Sequence, residues 1–280
     1  RRGLPLAHPP RGGREAFLHR RMKISVTLIA GNEEDRIGDA LASVAWADEI
    51  IVVVDARSTD RTAEIARQYT DRVFVHPWSG YAAQKRFADA QATHEWIFSL
   101  DADERVSPEL RRSIERLKRE GPRHDGYRVA RRAWYLGRWI QHSGWYPDYQ
   151  LRLYRRDRAR WVGDYVHESV RVEGSVGTLE GDLWHLTRRS LSEHHEVLNR
   201  YTTLAAEEAF AHGKRAGWFA LCVRPLLAFL RSYVLRQGFR DGIPGLVISG
   251  FAAYYVFLKN AKLWERAHFP EGWGHPLATE

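Results

Sequence analysis

The string Ser99-Leu100-Asp101-Ala102-Asp103-Glu104 concentrates more chemistry than any other in the chain. In an extended segment residues i and i+2 point the same way, so Asp101 and Asp103 are expected to project together, about 6.5 Å apart at Cα. Two carboxylates so placed repel unless a cation lies between them. A hard divalent ion, Mg²⁺ or Mn²⁺, meets that need and keeps open positions for phosphate oxygens. The competing reading is a solvated acidic turn ahead of the helix start Ser107-Pro108-Glu109. Two other polar clusters end apolar runs in the same way: Asn32-Glu33 after Ile24 to Ala30, and Asp55 to Asp60 after Ile50 to Val54.

The elements that must hold these clusters follow from periodicity. Ile24, Val26 and Leu28 alternate with Ser25 and Thr27 and predict a first strand, after which Asn32 is placed to cap a helix carrying Ile37, Leu41 and Val44. Glu49 to Asp55 is continuously apolar in its middle, as a strand buried on both faces requires. A helix from Ser58 or Thr59, a strand over Arg72 to His76, a helix over Tyr81 to Ala92 and a strand over Trp96 to Leu100 complete the series. Strands and helices in strict alternation predict an α/β fold with a doubly wound, mostly parallel, Rossmann-like sheet. In such sheets ligands bind at the carboxyl ends of the strands, where all three polar clusters fall. Beyond Pro108 the pattern is less regular, with strands expected at Gly126 to Tyr135 and Tyr149 to Arg155 and a helix at Leu191 to His212.

The order of elements and the residues themselves resemble family 2 glycosyltransferases of the GT-A fold, from about Ile24 to at least His185. The resemblance rests on Ile29-Ala30-Gly31-Asn32-Glu33-Glu34, on Trp46 to Asp55 with Ser58-Thr59-Asp60, on Gln84-Lys85 and on Leu100 to Glu104. Gly144 to Asp148, Arg152 to Arg156 and Val166-His167-Glu168 are similar to the branch that includes lipopolysaccharide-core β-glucosyltransferases. That resemblance implies an inverting transfer from a nucleotide sugar, most naturally a UDP-sugar, to a glycolipid acceptor, with Mg²⁺ or Mn²⁺ as cofactor.

The same resemblance assigns roles residue by residue. Asn32, Glu33 and Asp55 match positions lining the nucleoside pocket, Lys85 and Asp101 belong to the donor site, and Asp101, Asp103 and His185 are the candidate metal ligands, with His167 as a further auxiliary histidine. Glu168 matches the acidic base of the acceptor side, and Asp148 is second choice because Gly144 to Pro147 forms an aromatic-walled turn before it. Arg57 departs from the pattern, standing where the family commonly has glycine; either the loop conformation differs or the guanidinium contacts phosphate. Each residue also has a plainer reading: Asn32 as a helix cap, Lys85 as a solvated helix lysine, Glu168 as a salt-bridged surface residue, His185 as a structural imidazole. Arg152, Arg155 and Arg156 either meet phosphates or form a solvated face.

Composition bounds the rest. With 280 residues, 44% hydrophobic and a lone cysteine, Cys222, the chain is not disordered, collagen-like, a disulfide scaffold or a polytopic membrane protein. The net charge of +8 falls to +3 without residues 1–21, which hold six arginines and are expected to be a disordered leader ahead of a natural start at Met22. Nucleic acid is therefore not an expected partner. The catalytic domain is expected over residues 22–190 and a helical extension over 191–280. In the extension Gly242 to Leu258 is 17 residues without a charge, interrupted by Pro244, Gly245 and Gly250, and Gly217 to Leu235 carries Arg224 and Arg231. A 17-residue helix spans about 26 Å, short of a bilayer crossing. Interface-bound helices on an anionic membrane surface are expected instead, making the protein peripheral on the cytoplasmic face of the inner membrane. The alternatives are a polyprenyl-phosphate glycosyltransferase and, from another class, a nucleotidyltransferase, which would carry a glycine-rich basic loop after the first strand.

Overall fold

The structure, a computed structural model, describes residues 22–163 and 168–269; the basic leader and His167 lie outside the described residues. The strands are β1 Ile24–Ala30, β2 Glu49–Asp55, β3 Val73–His76, β4 Trp96–Asp101, β5 Glu104–Val106, β6 Gly126–Tyr135, β7 Arg138–Trp139, β8 Asp148–Arg155, β9 Ala159–Val162, β10 Ser169–Val172 and β11 Val176–His185. The helices are α1 Ile37–Ser43, α2 Thr62–Ala66, α3 Tyr81–Gln91, α4 Pro108–Glu120, α5 Leu191–Ala211, α6 Trp218–Leu230 and α7 Gly242–His268.

One sheet runs β3-β2-β1-β4-β8-β6-β11-β5, with β7 paired to β6, and β9 and β10 form a separate ribbon. The first four positions are parallel, as expected from the alternation of elements. Past β4 the sheet becomes mixed: β8 is antiparallel to both β4 and β6, while β11 runs parallel to β6 and antiparallel to β5. Apolar side chains fill both faces. Ile37 and Leu41 of α1 and Leu110 and Ile114 of α4 close one core over Val26, Leu28 and Phe98; Ala82 and Ala88 of α3 join Ile51, Val53, Ile97 and Tyr154 in the other. Each such fully buried Leu or Ile contributes about 1.5–3 kcal/mol. Ser25 and Thr27, the polar half of the β1 alternation, are buried too and are satisfied by Glu49 and Asp89.

Helix starts differ from the sequence expectation in one instructive place. Asn32 does not cap α1, which begins at Ile37; it adopts φ 55° and its side chain accepts from the Thr59 backbone N–H at 2.9 Å. Its own N–H donates to Ser58 Oγ, and those of Glu33 and Glu34 donate to Thr62 Oγ1 and Asp60 Oδ2. The loops after β1 and β2 are thereby stapled together. By contrast α4 starts as read, Ser107 accepting from the Leu110 N–H with Pro108 in the first turn.

The C-terminal helices also differ. The glycines and proline of α7 do not break it: Pro244 lies in the first turn, where no intrahelical N–H is needed, and Gly245 packs on the Gly238 carbonyl with no room for a Cβ. The helix continues past Lys259 for 27 residues in all, and Lys262 reaches across to Asn199 and Thr203 of α5. By length and composition Trp218–Leu235 and Gly238–His268 are apolar enough to cross a membrane, and little of either is buried in the protein. Trp218, Leu226, Leu235 and Ile243 are 66–76% exposed.

Candidate active site

The carboxyl ends of β1, β2 and β4 open into a cavity of about 780 Å³. Asn32, Glu33, Asp55, Arg57, Asp101, Asp103, Glu168 and His185, drawn from both halves of the chain, all line it. Of the candidates, Lys85 reaches this wall from α3 through Asp101, and Asp148 lies in an adjoining cavity of about 290 Å³.

The two aspartates of the acidic string do not project as a pair from an extended segment, because the chain turns at Ala102-Asp103 before entering β5. Asp101 is enclosed by cations: Lys85 Nζ donates to one carboxylate oxygen and Arg152 Nη2 to the other, each at 2.7 Å. Arg152, 4% exposed, also donates to the fully buried Glu104, which in turn accepts from the Asp101 backbone N–H. Burial works against ionising Asp101, yet Arg152 and Lys85 outweigh it and hold the carboxyl far below the usual range. At Glu104 burial prevails over Arg152 and pushes the carboxyl up. Arg152 is thus a buried clamp. Arg155 bonds to Asp157, and Arg156 to the Ala92 carbonyl, so neither meets the cavity.

Asp103 has a different environment. His185 Nε2 lies 3.1 Å from its carboxylate and Arg36 4.0 Å. Burial, the largest single influence, raises this carboxyl, but the hydrogen bond and charge of His185 together with Arg36 bring it below the usual range, so the group is an anion at neutral pH. Glu33 is raised by burial and by the charge of Asp103, and its Oε2 is buried without a hydrogen-bond partner among the described residues. The Asp103 carboxylate and the His185 imidazole, side by side on one cavity wall, are donors of the kind a divalent cation takes, while Glu33 Oε2 faces Arg189 Nη2 at 3.6 Å. Asp101, expected as a metal ligand, already meets a cation at each oxygen. Among the described residues no cluster of three or more acidic, cysteine or histidine side chains is close enough to form a complete metal shell.

At the other end Arg57 resolves the question its position raised. It avoids the left-handed region, which Asn32 takes instead, and it turns back on Asp55 with Nη2 2.6 Å and Nε 3.1 Å from the carboxylate. These hydrogen bonds, outweighing burial, lower the Asp55 carboxyl. The guanidinium also lies 5.3 Å from the centre of the Trp78 ring. Asp148 is clamped as well, accepting from Arg131 Nη2 at 2.7 Å and from Gln150 at 2.8 Å. Arg131 faces Asp148 across the β6–β8 register, a pairing that no local pattern reveals. Arg36, Arg131 and Arg188 escaped sequence reasoning; the one local signal was that Arg36 follows Glu33 by one helical turn and Arg188 follows His185 by three residues.

A mixed sheet with acidic residues gathered at the carboxyl ends of its parallel half places the cavity where α/β sheets bind ligands. Residues 25–172 match Glycosyl transferase family 2, and the chain belongs to that family of glycosyltransferases. It is 35% identical over 253 residues to the lipopolysaccharide core biosynthesis glycosyltransferase LpsC of Rhizobium meliloti, covering 88% of this chain and 93% of that protein. An uncharacterized glycosyltransferase of Rickettsia typhi is 32% identical over 256 residues, covering 87% of each. Among solved structures, S. aureus TarS in complex with UDP-GlcNAc is similar at a TM-score of 0.44 and 17% identity, over 91% of this chain and 93% of that one.

Proposed function

We propose that this glycosyltransferase moves a hexose, glucose by resemblance, from a UDP-sugar to a lipid-linked glycan of the lipopolysaccharide core, with inversion at the sugar carbon. The observation that carries the reading is the convergence of Asp55, Asp101, Asp103 and Glu168 on one cavity at the strand ends. The likeness to LpsC along nearly its whole length supports the acceptor class.

In this reading Glu168 takes the proton of the acceptor hydroxyl as that oxygen attacks, a task that contributes about 10²–10⁴-fold. Asp148 suits it less, since both its oxygens already accept hydrogen bonds. Asp103 and His185 would hold Mg²⁺ or Mn²⁺, which when bound would offset charge on the leaving diphosphate. Asn32, Glu33 and Asp55 form the nucleoside end, and Lys85 and Arg152 fix Asp101 beside it. The exposed apolar face of α6, with Arg224 on the helix and Arg231 directly after it, is the surface that would rest on anionic lipid at the cytoplasmic face of the membrane.

The test is nucleotide release from a panel of nucleotide sugars with Mg²⁺ or Mn²⁺ and a lipopolysaccharide acceptor, with the anomeric configuration of the product read by NMR. Release from no donor overturns the reading, and retained configuration overturns inversion. Glu168→Gln should lower kcat about 10²–10⁴-fold while UDP affinity stays unchanged. Full activity in that variant would move the base to Asp148.

A further inference from the structure

The donor cavity does not end at the catalytic carboxylates. It adjoins the 290 Å³ cavity containing Trp145 and Asp148, and both adjoin a third of about 170 Å³ between α5 and α7. Arg188 is the one residue that lines all three. The third cavity is walled by Val197 and Leu198 of α5 and by Ile248, Phe251, Ala252 and Tyr255 of α7. The path therefore changes from polar to apolar, and Arg188 marks the change.

Charge at this junction is unmatched. The neighbouring Arg189 pairs with Glu33 and Asp35, each at 3.6 Å, whereas Arg188 makes one hydrogen bond among the described residues, to the Thr187 carbonyl at 3.3 Å. His194 stacks on Phe251 and bonds the Tyr135 hydroxyl; burial, helped by Arg188, pushes its pKa down to about 4, so it stays neutral. A half-buried guanidinium with no carboxylate partner among the described residues, set between a sugar-sized cavity and an apolar cleft, matches an amphiphile whose anionic group joins its sugar to its hydrocarbon.

We propose that Arg188 recognises a negatively charged group, phosphate or carboxylate, on the acceptor, and that the α5–α7 cleft takes the apolar portion beside it. This rests on the transferase reading above and specifies its acceptor: an anionic glycolipid, engaged at the junction of the three cavities. The donor diphosphate carries the same chemistry, and the experiment separates the two sources.

Isothermal titration of the full chain with dodecyl phosphate, below its micelle-forming concentration, and separately with UDP, provides the test. Arg188→Gln should weaken dodecyl phosphate at least tenfold and change UDP less than twofold, with an unchanged thermal melt. Ala252→Phe, which fills the cleft, should weaken dodecyl phosphate at least threefold and leave UDP alone. Undiminished dodecyl phosphate binding by Arg188→Gln overturns the proposal. Loss of UDP binding instead assigns the guanidinium to the donor and also overturns it. If wild type binds dodecyl phosphate but not UDP, the transferase reading fails while the anion site stands.

Discussion

Asp101 and Asp103 are two residues apart on one turn, yet they belong to different kinds of site. Asp101 and Glu104 are matched charge for charge by Lys85 and Arg152, all within the protein. Among the described residues Asp103 has a histidine and a guanidinium at 4.0 Å, and Glu33 beside it in the cavity has an oxygen with no hydrogen bond, its nearest cation being Arg189 at 3.6 Å. Buried charge is expensive unless compensated, so the matched cluster reads as scaffold and the unmatched group as a place completed by substrate or ion. The difference teaches that the motif is not one functional unit. Its first aspartate anchors the wall and its second faces the chemistry.

The largest effect should come from breaking the matched half. Arg152→Met leaves Asp101 and Glu104 short of a cation in a dry setting and should destabilise the fold by about 3–5 kcal/mol, read by urea denaturation. That is a large part of the roughly 5–15 kcal/mol by which domains are stable. Both contacts come from the one nitrogen Nη2, so Arg152→Lys, which keeps a cation there, should cost less than Arg152→Met. Asp103→Asn should behave in the opposite way, lowering turnover about 10²–10³-fold with little change in denaturation midpoint. If Asp103→Asn unfolds as readily as Arg152→Met, the division between scaffold and site is wrong.

A third carboxylate sharpens the comparison. Asp89 is as enclosed as its neighbours but is held by neutral donors, Thr27, Tyr154 and Trp161, so burial wins and its pKa is pushed up to about 6. The folded form then binds a proton more tightly than the unfolded chain. Stability from this group is fully present below about pH 4 and is lost as pH rises through 6, up to about 3 kcal/mol in all. Asp89→Asn should abolish that slope. Unfolding free energies of wild type and variant, measured from pH 4 to 7, should therefore separate as pH rises, the wild type losing up to about 3 kcal/mol relative to the variant, on top of a constant offset for the hydrogen bond the amide cannot make. Parallel curves would mean that Asp89 titrates normally.

How far the sequence carries the fold depends on whether the interactions are local. β1, β2 and β4 are apolar runs that end in polar residues, so their existence, their parallel pairing and the gathering of Asn32, Glu33, Asp55, Asp101 and Asp103 at one sheet edge follow from pattern alone. β11 was not readable, because Gly177 and Gly181 interrupt its alternation; Gly181, at φ 91°, lets the strand pass the backbone of Leu110. Yet β11 delivers His185 to the cavity and pairs it with β5, some eighty residues earlier. The pairing of Arg152 with Asp101 and of Arg131 with Asp148 depends on strand register in the same way. Side-chain type pointed to Asn32, Glu33, Asp55, Asp101, Asp103 and His185, but not to Arg36, Arg131 and Arg188 beside them, nor to which groups arrive already neutralised.

The smallest effect on stability is expected at the nucleoside end, where Arg57 and Asp55 form another of the cavity's charge pairs. The geometry is bidentate, but the Arg57 side chain is 68% exposed, so solvent screens the pair and it adds little to stability. Arg57→Gly should therefore leave the denaturation midpoint within error. It should nevertheless tighten UDP binding. With the guanidinium gone, Asp55 Oδ2 becomes an acceptor free for the imide N–H of uracil, Oδ1 keeping the backbone N–H of residue 57, and no ion pair has to be opened first. Removing the cation above Trp78 also uncovers an indole face against which a base can stack. Titration with UDP, and with GDP as a base that presents a different edge, measures the change. A gain for UDP larger than for GDP identifies Asp55 as the base reader and Arg57 as its latch. Weaker binding of both nucleotides would instead make Arg57 a direct ligand, and the matched pair at this end would then be part of the working site.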